Sequence, residues 1–160
     1  MTFHLAIRCE IEILAPAVIV WDYLHRPMEW KSSIVSIERT AGNAREEGET
    51  LRIGQRPVAE TVYVIMRTLR STPYEWRVQT ISTEANQMTD GYVSYALSKS
   101  STGTIVVANF IARCVLDSTV ELRQPLAEYV ALISKATNEK LDADHAALKI
   151  VIEQKMKDNA

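Results

Sequence analysis

The chain has 160 residues, of which 47% are hydrophobic and 24% are charged, and its formal net charge is −2. This balance is ordinary for one folded domain, and it leaves no basic surface of the kind that binds nucleic acid. The longest apolar runs are far shorter than the roughly 20 residues of a membrane-spanning helix, so we expect no transmembrane segment and no secretory leader. The two cysteines, Cys9 and Cys114, lie within apolar strand patterns. Buried thiols of this kind are usually reduced, which favours the cytoplasm.

The first pattern is an alternation of apolar and polar residues from Phe3 to Ile13. A period of two predicts a strand with one buried face and one solvated face. A short helix with an apolar stripe is predicted over residues 16–24, because Pro16 suits the first turn of a helix. Arg26 and Pro27 end this stripe, and residues 28–31 predict a second short helical turn or a loop.

Six further segments rich in β-branched and aromatic residues fill the middle of the chain. They cover residues 34–40, 49–56, 60–70, 74–83, 88–99 and 104–115. Short connections between successive segments are typical of an antiparallel meander. Because each strand of such a sheet buries one face, the sheet needs a cover.

The final segment predicts that cover. From about Pro125 to Lys157 apolar residues recur every three or four positions, which indicates one helix of about 50 Å. Ser118 and Glu121 have the spacing of a capping box ahead of it. Because this length exceeds the width of most small sheets, we expect a kink, an interruption near Asn138 or a free C-terminal end. A curved sheet around a straight helix also leaves room for a cavity, so a pocket for an apolar molecule is the first functional hypothesis.

Near the start of the chain, the strand pattern Glu10–Ile13 leads through Ala15–Ala17 into the helical pattern Val20–Leu24 and then into Met28–Trp30. This order resembles the opening of the START-like, polyketide cyclase-dehydrase and birch-pollen-allergen superfamily (SRPBCC), in which a strand passes through a proline turn into a Trp-bearing helix. Ser71–Trp76 is similar to the proline-containing turn between the two central strands of that superfamily. The resemblance implies an α+β helix-grip fold. It would have a curved antiparallel sheet of about seven strands around a long C-terminal helix, with two short helices after the first strand.

The same resemblance implies that residues 1–160 form a single START-like domain that binds a hydrophobic small molecule. The expected ligand is a lipid, a polyketide or an aromatic metabolite, and no cofactor is expected. The superfamily has no shared catalytic signature, so the fold does not choose the function. Three alternatives therefore stay open: cyclisation or dehydration of a polyketide, carriage or sensing of an unchanged ligand, and protein interaction of the chaperone-activator type. A homodimer is compatible with each of them.

Polar residues within the apolar strands are the candidate catalytic groups, namely Arg67, Tyr95 and Arg113. An arginine that faces the cavity could hold a carboxylate or an enolate, and a tyrosine could donate or relay a proton. Alternation puts Tyr63 and Arg67 on one face of their strand, and Asn109 and Arg113 on one face of another. Both faces of the first of these strands carry apolar residues, so periodicity does not decide which face lies inside.

Rings and apolar side chains supply the expected walls of the cavity. The expected ligand-binding residues are Trp30, Tyr63, Trp76, Met88, Asn109, Tyr129 and Ile133. His4 and His25 are expected to be solvated, whereas His145 lies within the apolar stripe of the last helix. We expect His145 to be partly exposed and bonded to the backbone, with a general base as the alternative. The spacing of histidines and cysteines predicts no metal site.

Overall fold

The computed structural model describes residues 1–56, 60–82, 88–116 and 122–160, without the side chains of Ser82, Met88 and Thr89. Its strands are β1 (Thr2–Ile13), β2 (Ile34–Ala41), β3 (Thr50–Gln55), β4 (Val62–Thr72), β5 (Glu75–Ser82), β6 (Met88–Lys99) and β7 (Thr104–Val115). Its α-helices are α1 (Ala17–Leu24) and α2 (Leu126–Asp158), and one turn of 3₁₀ helix (Pro27–Glu29) follows α1. The predicted capping box of Ser118 and Glu121 lies outside the described residues.

The seven strands form one antiparallel sheet in the order β1-β7-β6-β5-β4-β3-β2. From β2 to β7, strands that follow one another in the chain also pair with one another. β1 joins the far edge by pairing with β7 along its whole length, from Thr2 opposite Val115 to Ile13 opposite Thr104. The sheet and the long terminal helix confirm the architecture that the sequence predicts.

One face of the sheet, the inner face, packs against the helices. Alternation sets which residues reach it: the odd-numbered side chains of β1 from Phe3 to Ile13, and the even-numbered side chains of β7 from Thr104 to Cys114. Because the two strands pair in register, these side chains merge into one apolar surface. The helices complete the core with Val20, Leu24, Leu148 and Ile152.

α2 is one uninterrupted helix of 33 residues, so the expected interruption near Asn138 is wrong. Its fully buried residues all lie in its C-terminal half: His145, Leu148 and Ile152. The N-terminal half is only partly buried, and there the Tyr129 ring meets the Phe3 ring edge to face, with 6.1 Å between centroids. The C-terminal half is therefore the part of the helix that anchors it to the sheet. Within the described part of the chain, no helix combines the length and apolar character that crossing a membrane requires.

Two polar contacts fix the C-terminal half of α2 against the end of β1. Lys149 Nζ donates to the backbone carbonyl of Glu12 at 2.9 Å, and the backbone N–H of Leu14 donates to Glu153 Oε1 at 2.9 Å. Both contacts satisfy backbone groups where the chain leaves the sheet and turns toward α1. They set the position of the helix along the strand, while the apolar contacts of α2 with the inner face of the sheet stabilise the packing.

Candidate functional site

A cavity of about 80 Å³ lies between the inner face of the sheet and the segment that joins α1 to β2. Its largest apolar side chains are Trp30, Ile53, Val64, Met66, Trp76, Val78 and Val93. Its polar lining consists of Lys31, Gln55, Thr80 and Tyr95. The cavity thus combines aromatic walls with a few convergent polar groups, as small-molecule sites do.

Strand alternation explains why these side chains meet. Trp76 pairs with Tyr95, and Val78 pairs with Val93, so both pairs stand on the inner face of β5 and β6. Ile53 is paired with Val64 between β3 and β4 in the same way. Trp30 and Lys31 reach the cavity from the other side, directly after the 3₁₀ turn.

A second and more polar pocket of about 370 Å³, here called the vestibule, adjoins the cavity. Pro27, Met66 and Trp76 line both spaces. The vestibule is otherwise lined by His25, Ile37, Arg39, Ala44, Arg45, Glu49 and Leu51. The two spaces are therefore separated by a wall that includes one flexible methionine and one indole ring.

The charges at the vestibule are paired with one another. The buried Glu49 carboxylate accepts hydrogen bonds from Arg39 Nε at 3.2 Å and from the backbone N–H of Arg45 at 2.9 Å. The Arg45 guanidinium also lies 2.8 Å from Asp22, which in turn pairs with Arg26. These contacts order the loop between β2 and β3 and connect it to α1.

A row of four rings crosses the interior beside the cavity. The His25 ring stacks on Trp76 with 4.3 Å between centroids, and Trp76 stacks on Tyr95 at 5.8 Å. The Tyr95 ring then meets His145 edge to face at 6.1 Å. Trp76 is fixed within this ring row because its Nε1–H donates to the Thr68 hydroxyl at 3.2 Å. The row fills much of the interior, which is why the cavity is small.

The two histidines of the ring row are less exposed than the sequence suggests. His25 Nδ1 donates to the Trp21 carbonyl at 2.9 Å, while its Nε2 is buried, and His145 Nδ1 is buried as well. Neither buried nitrogen has a hydrogen-bond partner among the described residues. The expectation of a solvated His25 is wrong because its ring stacks on Trp76. The expectation of a partly exposed His145 is wrong because its ring packs against Tyr95.

Burial lowers the pKa of both His25 and His145 below the ordinary value of 6.5. Below about pH 6.5 the histidines of the unfolded chain therefore bind protons more readily than those of the folded chain, and the free energy of unfolding decreases as the pH decreases.

Replacing His145 with leucine should remove part of this pH-dependent loss of stability. Urea unfolding at about pH 7.5 and about pH 5.5 measures it, with the exposed His4→Gln as control. A His145→Leu variant that loses as much stability as the unmodified chain would contradict this account.

Among the described residues of the cavity lining, Lys31 is the one cation. Its Nζ lies 4.8 Å from the centroid of the Trp30 ring, within range of a cation–π interaction. Burial lowers the pKa of Lys31 to about 8, while the charge of Asp144 acts in the opposite direction. Asp144 is itself engaged by Lys140 at 3.0 Å.

Tyr95 is the other titratable group of the lining. Burial raises the pKa of its phenol well above the ordinary range, and the negative charge of Asp144 adds to this effect. The phenol is therefore neutral near physiological pH, where it can donate a hydrogen bond or a proton but does not act as a base.

The structure gathers three of the residues singled out from the sequence, Trp30, Trp76 and Tyr95, in the cavity lining. Tyr129 and Ile133 are partly buried against the core from α2 and are not part of that lining. Met88 begins β6, and its side chain lies outside the described part of the chain.

The other four candidate residues lie on the outer face of the sheet, so the expectation that they face a cavity is wrong. On β4 the even-numbered residues turn inward, which leaves Tyr63 and Arg67 outside. The Tyr63 ring is covered there by the Arg52 guanidinium, 3.7 Å from its centroid. On β7 the residues that alternate with the buried ones are exposed, namely Asn109 and Arg113.

An ion pair holds one of these side chains on the outer face. Arg113 Nη2 lies 3.4 Å from the Asp90 carboxylate of the neighbouring strand. Arg67 is exposed, so neither arginine can reach a ligand within the sheet. Of the proposed catalytic trio, only Tyr95 is therefore in contact with the cavity.

Three polar cavity residues escaped the sequence analysis: Lys31, Gln55 and Thr80. A signal for Gln55 was present, because it stands two residues after the apolar Ile53 and so shares its face of β3. Lys31 had no such signal, since it lies in an irregular turn where periodicity has no meaning. Among the described residues, no group of three or more His, Cys, Asp or Glu could hold a metal ion.

Solved structures show which fold this architecture represents. The chain is similar to Ara h 8.0201, with a TM-score of 0.63 and 12% identity over 91% of this chain and 99% of that one. This chain has the helix-grip fold. A protein of unknown function from Staphylococcus aureus, SA2116, has a TM-score of 0.71 and 15% identity, with 98% of each chain covered. TTHA0849 from Thermus thermophilus has a TM-score of 0.64 and 17% identity, over 92% of this chain and 96% of that one.

Sequence comparisons add nothing to this result: no model of a protein family matches the chain, and no curated protein matches it either. At 12–17% identity, structural similarity shows the helix-grip fold alone. The function must therefore be argued from the cavity.

Proposed function

We propose that this helix-grip protein binds a hydrophobic small molecule, such as a lipid, a polyketide or an aromatic metabolite, without a cofactor. The observation that carries the proposal is the aromatic cavity with its few polar groups, which shares the lining residues Pro27, Met66 and Trp76 with the vestibule. Apolar walls with a small number of oriented polar groups are what such ligands require. The resemblance of the sequence to START-like proteins supports the same interpretation, since it implies a hydrophobic ligand.

The volumes indicate how the ligand would lie. A cavity of about 80 Å³ is smaller than the roughly 150 Å³ that holds a benzene molecule, so it accepts only one end of a metabolite. The vestibule adds about 370 Å³, which brings the site into the range of roughly 300–1,000 Å³ usual for small-molecule pockets. Met66 is the side chain best suited to move between the two spaces, because methionine adapts its shape easily.

Native mass spectrometry of the freshly purified protein tests the proposal. We expect a small molecule to remain bound, and we expect Val78→Phe to reduce its occupancy about tenfold, because the new ring fills the cavity at a cost of roughly 1–3 kcal/mol in stability. Ile111→Phe is the matched control, since Ile111 is 53% exposed on the outer face. A folded Val78→Phe variant with undiminished occupancy would exclude the cavity as the site.

A second candidate is cofactor-free cyclisation or dehydration of a polyketide. It is favoured by two groups in one lining: the free amine of Lys31 could remove a proton beside a carbonyl, and the Tyr95 phenol could protonate the carbonyl oxygen. Tyr95→Phe separates the candidates, since an enzyme would lose turnover and keep its ligand. A carrier or sensor would release every ligand unchanged.

A protein-interaction module would need a continuous apolar surface on α2. The large apolar residues exposed on that helix are Leu132 and Ile150, which lie about 27 Å apart along its axis. This separation favours the cavity over the helix surface as the binding site.

Location and domain organisation belong to the same proposal. We infer a single domain over residues 1–160 that works in the reducing cytoplasm. Burial raises the pKa of Cys9 to about 11 and raises that of Cys114 as well, so both thiols are held in their unreactive protonated form.

A further inference from the structure

Four polar side chains in the described cavity lining lack a polar partner. They are Lys31, Gln55, Thr80 and Tyr95, and none of them makes a side-chain hydrogen bond or an ion pair to another described residue. All four can donate a hydrogen bond, from an ammonium, an amide and two hydroxyl groups. Three of the four also carry an acceptor oxygen, whereas the Lys31 ammonium can only donate, so the lining offers both donors and a positive charge to an acceptor from outside.

The charges around Lys31 leave its ammonium without a counter-ion. Within the described part of the chain, no carboxylate oxygen lies within 4.0 Å of its Nζ. From α2 it faces Asp144, which is bound to Lys140, and both act on it from beyond ion-pair distance. The buried His145 is uncharged, because burial lowers its pKa, and the Tyr95 phenol on β6 is neutral too.

A half-buried cation without a counter-ion is partly desolvated, and a bound anion would offset the cost of that desolvation. A single ammonium with neutral donors beside it matches one negative charge better than two. On the basis of the ligand-binding function above, we propose that the ligand carries a carboxylate or an equivalent monoanionic group, which the Lys31 ammonium binds with help from the neutral donors of the lining. The apolar remainder of the ligand would then lie against Trp30 and Trp76.

Two probes with the same skeleton test this assignment by isothermal titration calorimetry at about pH 7. 4-Phenylbutyrate should bind at least tenfold more tightly than the neutral 4-phenylbutan-1-ol. In Lys31→Met the carboxylate should lose about 10- to 100-fold in affinity, as is typical for a charged hydrogen bond, while the alcohol should keep its affinity within about threefold. Lys135→Met is the matched control, because that lysine is exposed on α2 outside the cavity.

The pH dependence gives a second measurement. Because the pKa of Lys31 is about 8, the ammonium loses its proton as pH rises through that value, and the affinity for 4-phenylbutyrate should fall. The bound carboxylate raises the pKa of the amine in the complex, so the affinity should fall from about pH 8 upward and level off above that raised pKa. The affinity for the alcohol should stay level over the same range.

The outcomes separate this inference from the broader proposal. Binding of the alcohol with no preference for the carboxylate would overturn the anionic ligand and leave the ligand-binding function standing. Equal losses for both probes in Lys31→Met would also overturn it, because Lys31 would then act on the shape of the cavity only. Failure of both probes to bind, together with no co-purifying molecule, would reject both proposals.

Discussion

Replacing Trp76 with alanine should lower the free energy of unfolding by about 3–5 kcal/mol, the range measured for buried aromatic residues truncated to alanine. Trp76 is 4% exposed and stands between the His25 and Tyr95 rings, so its removal leaves unfilled space on both sides. The variant also removes the hydrogen bond that the buried Thr68 hydroxyl accepts from the indole N–H. An unsatisfied buried polar group adds to the cost of the cavity.

Urea unfolding measures this effect, and two further variants show its origin. Tyr92→Ala removes a ring from the outer face of the neighbouring strand, where the side chain is 43% exposed, and should cost less than about 1 kcal/mol. Trp76→Phe keeps a ring in the row but loses the hydrogen bond, so its loss of unfolding free energy should lie between those of Trp76→Ala and Tyr92→Ala. A Trp76→Ala variant no less stable than Tyr92→Ala would mean that the ring row does not support the core.

Replacing Ile152 with alanine should cost about 2–5 kcal/mol of unfolding free energy. Ile152 is 0% exposed and belongs to the half of α2 that packs on β1. Truncation of a side chain at such a site loses both its transfer free energy and its packing contacts, because the long strand and helix cannot close the gap.

Ile150, which lies on the same helical turn as Ile152, provides the control. It is 68% exposed, so Ile150→Ala should change stability by no more than about 0.5 kcal/mol. Ile133→Ala, in the partly buried N-terminal half, should fall between these values. Thermal or urea unfolding of the three variants gives the order of their stabilities. A larger loss of stability in Ile133→Ala than in Ile152→Ala would contradict the claim that the C-terminal half of α2 anchors the helix.

The architecture could be predicted because apolar residues recur every second position in the strands and every third or fourth position in the helix. The alternation from Phe3 to Ile13 has one apolar face, and the observed β1 buries that face. The three- and four-residue spacing of the last segment likewise became α2. Of the three alternatives offered for its length, the interruption near Asn138 was wrong: the length of a helix limits how much of it the sheet can cover, but it does not require a break.

The site was harder to predict because periodicity divides a strand into two faces without saying which is inner. On β4 both faces carry apolar residues, so Arg67 and Met66 were equal candidates for the interior. The decision depends on register with the neighbouring strands, which a single sequence does not contain. On β7 alternation groups Asn109 with Arg113 without saying which face lies inside, and the structure places both residues on the outer face.

Residues in irregular segments were missed for another reason. Lys31 follows a 3₁₀ turn, and its role depends on the position of α2, more than a hundred residues further along the chain. His25 was misjudged similarly, because its stacking partner Trp76 comes from the middle of the sheet. Contacts between segments so far apart in sequence follow from the fold and not from any local pattern.

The three tryptophans offer the most direct test of the central claim, that the interior of the sheet accepts an apolar ligand. Trp30 and Trp76 line the cavity, whereas Trp21 lies outside it against His25 and Tyr74. In a two-dimensional ¹H–¹⁵N NMR titration with 4-phenylbutyrate, we expect the indole N–H signals of Trp30 and Trp76 to shift saturably and by far the most. Saturable binding that leaves these two signals in place, or that shifts Trp21 most strongly, would show that the ligand binds elsewhere.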